Sequence, residues 1–281
     1  MKVIVAEKCG FCPGVKNAIK MAEKVLAEEK TVYSLGSIIH NKDVVERLAK
    51  AGLKTVANIE EIPSGSTVLI RSHGAAPNDV EKLRAKGDCI VDATCVLVKR
   101  VQQIAEQLEK DGYRVVVIGD ENHPEVRAVM GCAADVAVIA DPADMHKLPE
   151  NGRLGVVCQT TEAPEHFSDM LCTIGHHSFN ELKVINTLCR EAIKRQESAV
   201  QLCRQVDIMF VLGGLESANT CRLAELCEKY NKQTFHLQNW NEFDKKILFG
   251  KKVAGVTAGA STPEWIIEEF VQKLAAFDSA G

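Results

Sequence analysis

The sequence predicts an α/β protein built from several small parallel sheets, and three observations lead there. Short runs rich in Val and Ile recur without clean alternation, as in "VIVA", "RVVVIG" and "DIMFVLGG", the pattern of strands buried on both faces. Segments of helical period lie between several of them. Many of the runs end in short polar motifs that recur in a fixed order. The chain has 281 residues, 46% apolar and 26% charged, with a formal net charge of −4. That balance gives no general pull toward nucleic acid or anionic membrane. No apolar run is long enough to cross a bilayer. The first one is too short for a signal-peptide core and meets Glu7 and Lys8 at once, so a cytoplasmic protein is expected.

In chain order, strands are expected at "KVIVAE", "TVYSLGSII", "STVLIRSHG", "DCIVDATC", "RVVVIGD", "VAVIA", "RLGVVCQT", "DIMFVLGG", "QTFHL" and "KKVAGVTAG". Pro13 opens a helix that places Val15, Ala18, Ile19, Ala22, Val25 and Leu26 on one face. Near the C-terminus, Ser261-Thr262-Pro263-Glu264 reads as another helix start, with Trp265, Ile266, Phe270, Val271 and Leu274 on its apolar face.

The polar strand ends form a repeat: "SIIHN", "RSHG", "DATC"; then "GDENHPE", "CQTT", "NTLC"; then "GGLESANT", "TAGAST". The third set lacks its cysteine unless the N-terminal "CGFC" supplies it. Twenty-eight residues separate Cys12 from His40, Cys95 from His123 and Cys189 from Ser217. These intervals predict three homologous α/β units related by a pseudo-threefold axis, at residues 13–95, 96–187 and 188–281 plus 1–12. The repeat groups Cys12 with Cys95 and Cys189 and sets Cys9 aside. A dithiol enzyme using Cys9 and Cys12 also fits a Cys-x-x-Cys at a helix start, but leaves the other motifs unexplained.

Eleven cysteines, an odd number, in a reducing compartment do not make a disulfide framework. Most are expected to pack as small hydrophobes. Three thiolates gathered on one axis suit an iron–sulfur cluster, and a cubane held by three cysteines leaves one iron open to substrate. Zinc with an open position and three plain buried cysteines are the alternatives. Around them His40, His73, His123, Thr160, Ser217, Asn219 and Ser261 offer imidazole, hydroxyl and amide groups. Ser217 and Asn219 precede "TCRLAELCEKY" and Ser261 precedes Pro263, so both places can hold a phosphate or diphosphate at a helix N-terminus, or simply cap it. "HPE" sets Glu125 beside His123 at a strand-to-helix turn, where a carboxyl in a dry pocket can deliver protons. His146, His166, His176, His177, His236 and the remaining cysteines read as structural.

The motifs "GFCPGV", "IIHN", "RSHG", "DATC", "HPEV", "QTT", "RQ", "SANT" and "TAGAS" stand in that order along essentially the whole chain. With this set the chain resembles the LytB/IspH family of 4-hydroxy-3-methylbut-2-enyl diphosphate reductases, the last enzymes of the non-mevalonate isoprenoid pathway. The resemblance implies a three-domain trefoil around a [4Fe–4S] cluster held by Cys12, Cys95 and Cys189, with one open iron. It implies a two-electron reductive dehydroxylation giving isopentenyl and dimethylallyl diphosphate. Glu125 would deliver protons with help from His123 and Thr160, while His40, His73, Ser217, Asn219 and Ser261 held the diphosphate. A ferredoxin or flavodoxin would be the electron source. Four places depart from the family pattern. Val96 replaces a usual Pro, Ala218 the second Ser of "SSN" and Ala128 a common Gly, and "LCREAIKRQ" lacks the usual Ala-Thr. They leave room for another allylic or phosphorylated substrate on the same scaffold.

Overall fold

The computed structural model describes residues 1–277, so the last four residues of the third expected unit lie outside the described residues. The chain forms three four-stranded sheets, each parallel throughout. In the first, β2 (Val32–Leu35), β3 (Leu53–Val56), β4 (Thr67–Ile70) and β5 (Cys89–Asp92) take the order β3-β2-β4-β5. In the second, β6 (Arg114–Ile118), β7 (Val136–Ile139), β8 (Gly152–Cys158) and β9 (Phe179–Val184) take the order β7-β6-β8-β9. The third joins β10 (Ile208–Leu212), β11 (Thr234–Leu237) and β12 (Val253–Ala258) to β1 (Lys2–Val5), in the order β11-β10-β12-β1. All three orders are the same, and the first strand of the chain completes the last sheet, as the motif repeat requires.

Nine α-helices connect the strands of the described residues: α1 (Pro13–Glu28), α2 (Lys42–Lys50), α3 (Pro77–Ala85), α4 (Val96–Lys110), α5 (Pro124–Met130), α6 (Pro164–Gly175), α7 (Arg190–Cys203), α8 (Ala218–Tyr230) and α9 (Glu264–Ala275). None is long and apolar enough to cross a membrane.

The chain packs as two compact units. One comprises Met1–Lys16, Ile39–Arg47 and the described residues from Arg190 onward. On one face of its sheet, Phe210 lies between Phe243 and Phe270, each ring centroid 5.2 Å away. Such pairs contribute about 0.5–1.5 kcal/mol each beyond the area they bury. The other face packs Met209 and Val211 against Ala199, Leu202, Leu223 and Cys227 of α7 and α8. The second unit comprises Asn17–Ile38 and Leu48–Cys189. In its second sheet Val115, Val117 and Val157 face Val101, Ala105 and Leu108 of α4. Val116, Ile118 and Val156 face Phe167, Met170 and Ile174 of α6 on the other side. Burial on both faces explains the unalternating apolar runs.

Ten strands coincide with expected runs, and β3 and β9 were not legible. Both lie at sheet edges, where Lys54, Thr55, Asn180 and Glu181 face solvent and the apolar signal is diluted. The run "TVYSLGSII" ends its strand at Leu35, because Gly36 turns the chain with φ +74°; Ile38 and Ile39 are buried in the loop beyond. The helix at Pro13 buries Val15, Ala18, Ile19 and Ala22 as read. In α9 the apolar face is turned slightly from the expected one. Ile267 is buried, whereas Trp265 is 45% exposed and meets Phe11 edge-on and the Arg47 guanidinium.

Candidate active site

Each of the three cysteines singled out by spacing sits one residue before a helix and after the edge strand of its sheet: Cys12 before α1, Cys95 before α4 and Cys189 before α7. Each is tied down by the same hydrogen bond. The Cys12 N–H donates to the Ala260 carbonyl at 3.2 Å, that of Cys95 to Ser72 at 3.0 Å and that of Cys189 to Thr160 at 2.7 Å. All three acceptors lie two residues beyond the end of the neighbouring strand, β12, β4 or β8. The repeat is therefore present in the hydrogen bonds as well as in the motifs.

None of the three is in a disulfide, and all three are half-buried. The Val15 N–H, in the first turn of α1, donates to Cys12 Sγ at 3.4 Å. Burial pushes Cys9 up to about 11, against an opposing pull from Arg195. Burial likewise raises Cys132 to about 12 and Cys158 to about 11. Cys9 packs among the apolar residues of the third sheet. Among the described residues no group of three or more His, Cys, Asp or Glu side chains stands at metal-ligand spacing.

Four of the expected site residues come together in the second unit. Glu125, in the first turn of α5, is 2% exposed. Its two carboxylate oxygens accept from the Thr160 N–H at 2.6 Å and the Thr160 hydroxyl at 2.8 Å. His123 caps α5, its Nδ1 accepting from the Glu125 N–H at 3.2 Å, and its ring meets that of His73 edge-on with centroids 5.5 Å apart. The Thr160 carbonyl in turn holds the Cys189 N–H. Gln159 was missed by sequence reasoning although it stands inside "CQTT". Almost fully buried, it accepts from the Asp120 N–H and donates to the Thr161 hydroxyl, both at 3.1 Å, so it joins the loop before His123 to the loop of Thr160.

The anion-binding candidates of the first unit converge on one set of loops. Ser217 caps α8, and its Oγ accepts from the Thr220 hydroxyl at 3.0 Å. The Ser261 hydroxyl donates to the His40 carbonyl at 3.1 Å. His40 lies one residue before the cap of α2, because Asn41 takes that role by accepting from the Val44 N–H at 3.1 Å. Asn219 is half-buried in the first turn of α8. Thr220 and Thr262, fully buried, were not legible as site residues. A Cβ on Gly259 would stand 2.0 Å from Thr220 Oγ1, so this approach of loop to helix requires glycine.

The family model for LytB protein matches residues 3–275. The chain belongs to the LytB family. It is 41% identical over 279 residues to the 4-hydroxy-3-methylbut-2-enyl diphosphate reductase of Citrifermentans bemidjiense, covering 99% of this chain and 98% of that one. It is also 41% identical over 279 residues to the enzyme of that name from Caldanaerobacter subterraneus subsp. tengcongensis, covering 98% and 96%. A solved structure of (E)-4-hydroxy-3-methyl-but-2-enyl diphosphate reductase, the terminal enzyme of the non-mevalonate pathway, is 41% identical, with a TM-score of 0.73 over 99% of this chain and 100% of that one. The E-1-hydroxy-2-methyl-but-2-enyl-4-diphosphate reductase of Plasmodium falciparum is 27% identical, with a TM-score of 0.93 over 99% and 89%.

In this LytB chain the departures from the family pattern leave the site's contacts in place. Val96 is 76% exposed at the start of α4, and the Cys95 N–H keeps its carbonyl partner. Ala218 follows Ser217, whose cap on α8 is intact. Ala128 is buried in α5, and its carbonyl accepts from the Gln102 amide and the Cys132 thiol.

Proposed function

We propose that this chain is a 4-hydroxy-3-methylbut-2-enyl diphosphate reductase, removing the allylic hydroxyl to give isopentenyl and dimethylallyl diphosphate. The observation that carries it is a buried carboxyl, Glu125, pinned by Thr160 in a chain 41% identical, end to end, to reductases of that name.

Three half-buried cysteines, none in a disulfide, at equivalent helix starts fit a thiolate-held group, so Cys12, Cys95 and Cys189 would hold a [4Fe–4S] cluster. Such a cluster supplies electrons singly and, at an iron without a protein ligand, a Lewis acid. The remaining chemistry belongs to side chains. Two electrons and two protons convert the allylic alcohol to alkene and water. Hydroxide leaves poorly, so a proton must reach the departing oxygen. Glu125 is the group that brings it, with its oxygens aimed by the Thr160 N–H and hydroxyl. His123 fixes the first turn of α5 and sets Glu125 in place. His40, His73, Ser217, Asn219 and Ser261 would hold the diphosphate, the helix starts at Ser217 and Ser261 offering N–H groups to the anion.

The three sheets would be three domains, at 13–95, 96–187 and 188–281 plus 1–12, working in the cytoplasm with a ferredoxin or flavodoxin as donor. The test is turnover of hydroxymethylbutenyl diphosphate by anaerobically purified protein with an artificial reductant. Formation of both five-carbon diphosphates is expected; a reduced, iron-loaded protein that leaves this substrate untouched would refute the reading.

A further inference from the structure

The three sheets carry equivalent crevices, at the carboxyl ends of β2 and β4, β6 and β8, and β10 and β12, where the strand order reverses and open parallel sheets bind ligands. The first residue past β4, β8 and β12 is Arg71, Gln159 and Gly259 respectively. In the second sheet Gln159 lies over Gly119, where a Cβ would come within 2.8 Å of it, and the amide is satisfied on both sides by Asp120 and Thr161. In the first sheet Arg71 lies over Gly36 in the same way, its Nη1 only 2.4 Å from where a Cβ would be. Arg71, however, is not satisfied. Its Nε is buried with no hydrogen-bond partner.

Arg71 lines a cavity of about 320 Å³ that Arg127 of α5 also lines, and none of the residues assigned above to the reaction or its diphosphate does. Burial, and then the charge of Arg127, pushes Arg71 below its usual value. A cation taken out of water beside a like charge is costly unless an anion joins it. Of the carboxylates lining the cavity, Asp79 pairs with Lys82 at 3.9 Å and Glu60 is exposed. Two guanidinium groups with small neighbours, Gly74, Ala75 and Ala76, leave space and charge for an oxyanion.

We propose that this cavity is a second anion site, in which Arg71 and Arg127 bind a phosphoryl group, either inorganic phosphate or part of a phosphorylated small molecule. None of the residues proposed to hold the substrate diphosphate lines it, and it goes beyond the reductase reading.

The test is calorimetric titration of the full, cluster-loaded chain with inorganic pyrophosphate, in the wild type and in the Arg127→Gln, Arg71→Gln and Ser217→Ala variants. Two sites are expected in the wild type. Ser217→Ala should keep the one at Arg71. Each arginine variant should weaken that site about tenfold or more, the loss of one charge-assisted contact. Arg127 is exposed, so its variant tests the idea even where Arg71→Gln fails to fold. Displacement by inorganic phosphate supports recognition of a single phosphoryl group, and binding of pyrophosphate alone supports a diphosphate. Unchanged titration of Arg127→Gln, loss of all binding in Ser217→Ala, or equal competition by acetate would each overturn the proposal.

Discussion

Thr160 grips Glu125 at both oxygens, through its backbone N–H at 2.6 Å and its hydroxyl at 2.8 Å. The backbone bond survives most side-chain changes at 160, whereas the hydroxyl bond does not. Replacing Glu125 by Gln keeps the shape and removes the proton. The fold should persist and turnover should fall by about 10²–10⁴, the usual worth of a positioned general acid, as read by single-turnover assay. A near-normal rate would remove Glu125 from the reaction.

Thr160→Val keeps the volume and removes the hydroxyl bond to the buried carboxylate. A loss of about 1–3 kcal/mol in stability is expected from urea unfolding, with a smaller loss of rate than in Glu125→Gln. Equal losses of rate would make the hydroxyl itself a proton carrier.

Serine in place of Cys12, Cys95 or Cys189 should lower bound iron and sulfide together and abolish turnover, as measured by chemical analysis beside the visible spectrum. Cys9→Ser should leave iron content unchanged, because Cys9 packs against the apolar residues of the third sheet. Iron lost from Cys9→Ser and retained in Cys189→Ser would reverse the ligand assignment.

Gly259→Ala drives a Cβ to within 2.0 Å of Thr220 Oγ1. Overpacking of this kind costs about 1–3 kcal/mol, and the strain falls on the first turn of α8, beside Ser217. A lowered urea midpoint and a raised KM are expected. Unchanged values would mean that the loop yields freely.

Three thiols desolvated by the fold set an alkaline limit on stability. Cys9, Cys132 and Cys158 are raised to about 11, 12 and 11 in the folded chain, above the ordinary value of about 8.5 that they regain on unfolding. A raised group contributes stability that is full below the unfolded value and is lost as pH rises toward the folded one. The melting temperature should therefore decline from about pH 8.5 upward. Cys132→Ala should flatten that decline between about pH 9 and 11, and an identical slope would exclude the thiol.

Much of this protein is legible in one dimension. Unalternating Val and Ile runs mark buried parallel strands, because both faces of β8 and β10 are covered. Equal spacing from Cys12, Cys95 and Cys189 marks three copies of one unit, because each copy repeats the same strand order and the same N–H to carbonyl bond. Edge strands such as β9 escape, since half-solvated residues carry no distinctive pattern.

The sequence by itself determined ten of the twelve strands, the repeat, the equivalent places of Cys12, Cys95 and Cys189 before their helices and the loops that carry the polar groups. These depend on residue type and on short intervals along the chain. Only the tertiary structure decided that Cys9 packs, half-buried, among apolar side chains, that Thr160 rather than another hydroxyl holds Glu125, and that Ser261 reaches a carbonyl 221 residues away at His40. It alone separated Gln159, fully satisfied, from Arg71, which occupies the same place with its Nε unpartnered. The reason is physical. Desolvation and hydrogen-bond satisfaction are set by atoms that arrive from distant segments, and no local pattern records which atoms those will be.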